Sequence, residues 1–440
     1  MRIRKLSCFG MLPVLASVLL VTSCSSAQEP SRNFTHRSGV KPIALAAPAA
    51  LLATTPGEQD TEAQAVARGV NEFAFRLSAI LSSNLENENL VLSPFSVWVP
   101  LAALVNATDE QHKPALLEAL SASGISAADI NRAASRMMYD LTDGESNESP
   151  LKIANAIFVD YNVTLRTDFA QMFMDYFRGT MMNLDFMSQA AIDAVNEWAY
   201  DNTDGMITDL VDEFDGETIA AIGNAIFFKD SWSREFDPED TKEDIFYSPL
   251  GEQTVDFMQR NGRGQIYYED DYVQAIHLSY VEGGGMYIIL PRDGNATEML
   301  SSMTIEGFEN ISQNTYLATG QLALPRFTIE SSIDSLTDAL ITLGVPLFGP
   351  LSAPLNGLVY ESFDLIFLGN SIQKAKIVVD EEGTTAAAAT IFDVEVESIP
   401  DPEPTFEMIV DSPFVFVLVE NTTDGGKQVL FTGVVNTFDS

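Results

Sequence analysis

Few side chains in this sequence can drive a reaction at neutral pH. Its 440 residues include three histidines, His36, His112 and His277, and two cysteines, Cys8 and Cys24. A nucleophilic serine needs a positioned base, and none of these histidines sits where one would be made. His36 lies in a polar N-terminal stretch. His112 follows Glu110-Gln111 in a polar, helix-like segment and reads as solvated, while His277 stands between Ile276 and Leu278 in a strand and reads as structural. No His-x-x-x-His pair, phosphate loop or dinucleotide fingerprint is present. Both cysteines are N-terminal, so the remainder has no thiol, disulfide or cysteine metal site to offer. Paired acids are too common in so acidic a chain to be informative. The expectation is a protein that is not an enzyme and uses neither metal nor cofactor.

One stretch does carry chemistry, as a substrate. Asp380-Glu381-Glu382-Gly383 reads as a bend or exposed corner. Thr384, Thr385, Ala386, Ala387, Ala388, Ala389 and Thr390 follow, with no large apolar side chain to anchor them. Then the pattern takes period two, with Phe392, Val394 and Val396 on one side and Asp393, Glu395 and Glu397 on the other. That alternation is the mark of a half-buried strand. Pro400, Pro402 and Pro404 lack the amide hydrogen a ladder needs, which gives the strand a hard end near Glu397-Ser398. The segment has the composition of a protease-sensitive loop and the pattern of a strand able to slot into a crowded sheet.

Such a loop needs a sheet to receive it. Thr61 to Leu81 has helical spacing through Val66, Val70, Phe73, Ala74, Leu77 and Leu81. Asn89 to Val97 reads as a short strand running through Ser93-Pro94 into a helix, with Ser93 as cap. Leu151 to Asp160 has buried-strand composition. Val255 to Met258, Ile276 to Tyr280 and Met286 to Pro291 read as successive strands. Leu322 to Glu330 reads as a strand with Pro325 at an edge or bulge, and Leu336 to Val345 as a helix stopped by Gly344. Lys376 to Val379 enters the loop. Pro413 to Val419 and Val429 to Val435 form a closing hairpin with Asp424-Gly425-Gly426 in its turn.

The run Glu381 to Thr390 resembles the hinge of the serpins, the serine-protease-inhibitor family. Gly223-Asn224-Ala225-Ile226-Phe227-Phe228-Lys229-Asp230-Ser231-Trp232 is the next most specific match, and the likeness runs from about residue 63 to the end. It implies an α+β fold with three β-sheets, about eight or nine helices and a C-terminal reactive-centre loop over about 381–404. It further implies that a serine endopeptidase cuts the loop and is trapped as an acyl-enzyme while the hinge, Glu381 to Thr390, inserts as a new strand. Ser93, Ser96 and Asn224 would belong to the shutter that the strand passes. Trp232 would stand where insertion begins, and reads equally as a core aromatic. Many serpins carry a shutter histidine where this chain has Gln373. Glutamine donates and accepts, so the gate can close without pH sensitivity. Family spacing puts the cut bond at Glu397-Ser398, with Val396-Glu397 as the alternative, suiting a glutamate-preferring or an elastase-like protease. A non-inhibitory carrier or chaperone is the other reading, but such members usually spoil the hinge with bulky or charged residues or proline. A monomer is expected.

Residues 1–24 read as a secretion signal: Arg2, Arg4 and Lys5, then an apolar run from Met11 to Val21. Val21-Thr22-Ser23-Cys24 resembles a bacterial lipobox, which implies lipid on Cys24 and an anchor on the outer face of a membrane; release after ordinary signal cleavage is the alternative. Residues 25–62 read as a flexible tether reaching roughly 35 Å, and 63–440 as the folded domain. With 24 basic against 63 acidic residues, net −39, the surface repels nucleic acid and anionic lipid, and no Lys/Arg cluster for heparin stands out.

Overall fold

A computed structural model of the chain describes residues 40–41, 43, 45–52, 60–142, 151–214, 219–333, 336–348, 353–360, 368–384, 404–422 and 425–438. Strand β1 (Val40–Lys41) precedes helix α1 (Thr61–Ser82), whose cap Asp60 accepts from Ala63 N. The apolar residues of α1 predicted to share one face are buried. Strand β2 (Leu90–Leu92) leads into α2 (Pro94–Leu104), in which every residue is buried. Then come α3 (Lys113–Ala119), α4 (Ala127–Leu141), β3 (Leu151–Asp160), α5 (Thr167–Phe177), β4 (Thr180–Leu184), α6 (Gln189–Asn202), β5 (Ala220–Phe228) and β6 (Asp230–Ser231). The second half holds β7 (Lys242–Ser248), β8 (Gly251–Glu269), β9 (Val273–Ser279), β10 (Gly285–Pro291), α7 (Ala296–Ser302), α8 (Ile305–Gln313), β11 (Tyr316–Pro325), β12 (Phe327–Ser332) and α9 (Leu336–Leu343). It ends with β13 (Leu368–Val379), β14 (Gly383–Thr384), β15 (Phe406–Ile409), β16 (Phe414–Asn421) and β17 (Lys427–Val435).

Among the described residues, the first sheet has eight strands in the order β1-β4-β3-β5-β13-β14-β6, with β12 also on β13. Its middle strand β5 is buried throughout, between α2 on one face and α6 on the other. A strand covered on both faces reads as a near-continuous apolar run, which is the composition of Ala220 to Phe228 apart from Asn224. The second network has nine strands among the described residues, β15-β11-β8-β9-β10-β16-β17-β2, with β7 on β8. The two smaller sheets implied by the resemblance run together there, because β8 spans 19 residues and pairs with β7, β9 and β11.

Two expectations change. The run Leu322 to Glu330 is two strands, not one: β11 ends at Pro325 in the second network, and β12 begins at Phe327 in the first. Proline ends the ladder by lacking a donor, and the chain crosses between sheets at Arg326. The stretch 25–62, expected to be a tether, is docked over its described part. Val40 and Lys41 pair with Leu184 and Asn183 on β4. Ala46 N and Ala49 N donate to Gln171 Oε1 and Asp175 Oδ1 on α5 at 2.8 and 2.9 Å, and Leu52 N donates to Ser135 Oγ on α4 at 2.9 Å. Leu51 is buried. Pro48 forbids a helix but suits an extended strap, and an edge strand has backbone groups to receive one. Cys24 lies outside the described residues. Among those described, no helix is long and apolar enough to cross a membrane.

Candidate functional site at the split in the large sheet

β5 and β13 pair in parallel from Ala220/Leu368 up to Ala225/Lys374, and there the described ladder stops although both strands run on, to Phe228 and Val379. Asn224 and Gln373 face each other one step below the split, and both are buried. Gln373 Oε1 accepts from Ser93 N at 3.0 Å, while its Nε2 donates to Ser93 O and Ser96 Oγ, both at 2.9 Å. Asn224 Nδ2 donates to Ser96 O at 2.6 Å and to Asn155 Oδ1 at 2.9 Å. Ser93 and Ser96 form the first turn of α2, where Ser93 Oγ accepts from Ser96 N. The two amide side chains thus tie both lips of the seam to one helix start. Every group Gln373 offers is used, and the group does not titrate. Asn155 Nδ2 and Asn224 Oδ1 remain buried without a partner among the described residues.

The split is plugged at its far end. In β14, Thr384 pairs with Val379 on one side and with Asp230 on the other, and Gly383 pairs with Ser231. A Cβ on Gly383 would lie 2.2 Å from the Asp230 carbonyl oxygen, so only glycine fits. Trp232, fully buried, donates from its backbone N to Glu382 O and from Nε1 to Asp380 O, at 2.8 and 2.9 Å. Tyr280 stacks on Trp232 with centroids 4.7 Å apart, and its hydroxyl lies 2.5 Å from Thr384 Oγ1. Thr384 is 0% exposed.

The expectation of an exposed acidic corner is therefore corrected at Glu381, which is 5% exposed. Arg326 Nε donates to both of its carboxylate oxygens at 2.8 Å, and Nη2 adds a third bond. Burial raises this carboxyl, but the Arg326 fork and the Thr241 hydroxyl outweigh it and hold it below its usual range. Asp230 lacks such a fork. Burial pushes it up to about 6, against the bond from Glu282 N, with the Glu282 charge adding to the rise. Burial likewise pushes Glu420 up to about 6, with the Asp230 charge contributing.

Of the residues singled out from the sequence, Ser93, Ser96, Asn224 and Gln373 meet in one knot, and Trp232, Glu381, Glu382, Gly383 and Thr384 meet at the plug. Thr385, Ala386, Ala387, Ala388, Ala389, Thr390, Val396, Glu397 and Ser398 lie outside the described residues. Sequence reasoning missed Asn155, Tyr280, Arg326 and Asp230. Asn155, a polar residue inside an apolar strand, was the one with a signal. Arg326 had none, since its partner is 55 residues away. His112 is partly exposed, with Nδ1 2.7 Å from Asp109 Oδ2. His277 packs on Tyr287, and burial, helped by the Lys427 charge, pushes it down to about 4.

Two outcomes follow from this geometry. Gln373→Ala orphans buried partners on Ser93 and Ser96, and the uncleaved protein should lose about 3 kcal/mol in urea unfolding; an unchanged midpoint would show that the seam does not depend on this latch. Asp230 has a folded pKa above its ordinary 3.8. The stability it contributes is full below about pH 4 and is lost as pH rises to about 6. Asp230→Asn should thus raise the melting temperature at pH 7.5 and leave it unchanged near pH 4.

The family model described as serpin (serine protease inhibitor) matches residues 68–437. An uncharacterized serpin-like protein of Thermococcus kodakarensis is 30% identical over 379 residues, covering 84% of each chain. Serpin-Z2B of Triticum aestivum is 31% identical over 382 residues, covering 83% of this chain and 94% of its own. Among solved structures, the thermophilic serpin tengpin in the native state superposes with a TM-score of 0.74 at 26% identity, over 88% of this chain and 97% of its own. Human thyroxine-binding globulin complexed with thyroxine has a TM-score of 0.73 at 20% identity, over 86% of this chain and 100% of its own, a likeness of fold alone. With the family model covering most of the chain and the split sheet in place, this chain belongs to the serpin family.

Proposed function

We propose that the chain inhibits serine endopeptidases as a suicide substrate. The protease's serine oxygen attacks the carbonyl carbon of Glu397, or of Val396. The new N-terminal amine, of Ser398 or Glu397, leaves with a proton from the protease's histidine, and an ester joins the two proteins. Water would then free the enzyme. Insertion of the hinge into the seam instead carries the protease off before that step.

The observation that supports this reading is the register of the plug. Thr384 faces Val379 and Asp230. Continuing both antiparallel ladders downward, position 390 falls opposite position 373 and opposite position 224 at once. Thr390 would therefore arrive between Gln373 and Asn224, on the same face as Thr384, because facing residues share a side and alternate ones repeat it. A hydroxyl both donates and accepts, which matches the unpartnered Asn155 Nδ2 and Asn224 Oδ1. The other positions of that face, Ala386 and Ala388, are small enough to pass the buried knot.

Mixing the protein with an elastase and with a glutamate-specific endopeptidase should give a detergent-resistant adduct with one of them. Thr384→Arg should cut the adduct yield at least about tenfold, leaving a cleaved chain and an active protease, because an arginine in this closed site is a buried charge. A non-inhibitory carrier would be digested by both enzymes and gain no heat resistance on nicking. We also propose lipidation of Cys24 and anchoring at the outer face of a membrane, which rests on the Val21 to Cys24 motif. In a bacterial host, Cys24→Ser should abolish labelling by radioactive palmitate and shift the protein from the membrane pellet to the soluble fraction; labelling that persists rules the anchor out.

A further inference from the structure

Asp230 supports the hinge with its backbone and buries an acid with its side chain. The backbone pairs with Thr384 and so forms one wall of the plug. The residue is 7% exposed, and its Oδ2 accepts from Glu282 N at 3.2 Å. That donor belongs to the turn 281–284, which follows β9 and is tied to β6 by the bond from Val281 N to Ser231 O at 2.9 Å. The same turn covers a second carboxyl. A Cβ on Gly283 would lie 2.8 Å from Glu420 Oε1, and one on Gly284 3.1 Å from Glu420 Oε2. One turn therefore closes over two acids, one from β6 and one from β16.

The groups around the pair give a charge there little support. The turn adds a third carboxylate, Glu282. From β9 and its end come His277, which burial and Lys427 keep uncharged, and Tyr280, a phenol that burial holds well above its usual range and that bonds Thr384. From β17, Lys427 acts on Glu420, but burial lowers its own pKa and its ammonium lies 5.9 Å from the centroid of the Tyr287 ring. At the loop root, Asp380 Oδ1 accepts from Glu382 N and Gly383 N at 3.0 and 3.2 Å, and Glu381 is engaged by Arg326. Among the described residues no cation forms an ion pair with Asp230, Lys229 beside it in the chain included. A buried carboxylate so placed is costly, and like charges add to the cost. Parting β6 from the turn lets water reach Asp230 and relieves that cost. Thr384 is seated between Val379 and Asp230, so the same parting removes one of its two walls. Burial, then the Glu282 charge, raise the Asp230 carboxyl to about 6. With this value above the ordinary 3.8, the seated form is fully favoured below about pH 4, and the preference is lost as pH rises to about 6.

We propose that Asp230 and Glu420, clasped by the turn 281–284, form an acid-operated catch on the hinge: uncharged, the pair leaves Gly383 and Thr384 seated in the large sheet, and charged, it loosens them. The catch is a property of the seat and stands whether or not the loop traps a protease. Amide hydrogen exchange of the intact full chain, read by mass spectrometry and corrected for the intrinsic rate, tests it in peptides covering 229–233 and 380–384 at pH 4.5 and 7.5. Between the two, wild type should lose protection at least about tenfold, since each pKa unit relieved on opening is a factor of ten. Asp230→Asn keeps the size but cannot ionise; it should match wild type at pH 4.5 and stay protected at pH 7.5. Glu420→Gln should retain part of the protection at pH 7.5, and β10 should exchange alike in all three proteins. Equal protection of the hinge in wild type and Asp230→Asn at pH 7.5 overturns the proposal, even if the melting temperature differs. So does lower protection in Asp230→Asn, which would mean that the carboxylate, through Glu282 N, holds the hinge in place. If Asp230→Asn does not fold, Glu420→Gln decides: protection above wild type at pH 7.5 sustains the catch, and no change refutes it.

Discussion

The centre of the large sheet is closed by side chains as well as by backbone. Gln373 and Asn224 reach from the two lips of the seam to one helix start, that of α2. In a buried, low-dielectric site each of these groups depends on the others, because an unpaired amide or carbonyl there is costly. The position of α2 follows from the same requirement. Its residues are all buried, against β3, β5 and β17, and its first turn presents Ser93 and Ser96 to the seam.

Above the latch, the sheet is neither closed nor empty. The plug of Gly383 and Thr384 holds the far end through three ladder pairings, one indole, one phenol and one arginine fork. These contacts couple three distant parts of the chain: the end of β5, the second network through Tyr280, and the crossover at Arg326. The root of the loop is thus fixed by the sheet it is proposed to invade. The acids there contrast in a useful way. Glu381 is buried with a bidentate cation and keeps its charge, whereas Asp230 and Glu420 are buried near each other without one and are held back from ionising.

Much of this was legible in the residues. The cap at Ser93 could be read from residue type, and the resemblance named Ser96, Asn224 and Gln373 as partners at the seam, where the structure brings them together; the alternation from Phe392 to Glu397 lies outside the described residues. The exchange of a histidine for Gln373 could be judged from valence alone, and its three bonds agree with that count. Where reading failed, the cause was distance in sequence. A run of acids looks exposed until an arginine from another strand folds over it, as Arg326 does to Glu381. A Pro-broken apolar stretch looks like a tether until the open edge of β4 receives it.

The sequence by itself determined the family resemblance, the periods of helix and strand, and the hydrogen-bonding capacity of each polar residue, because these depend on residue type and local spacing. Only the tertiary structure decided which polar groups meet, that Gly383 and Thr384 are paired into the large sheet, and that Arg326 folds over Glu381. Those facts depend on strand register and on contacts across tens to hundreds of residues, and no local pattern encodes them.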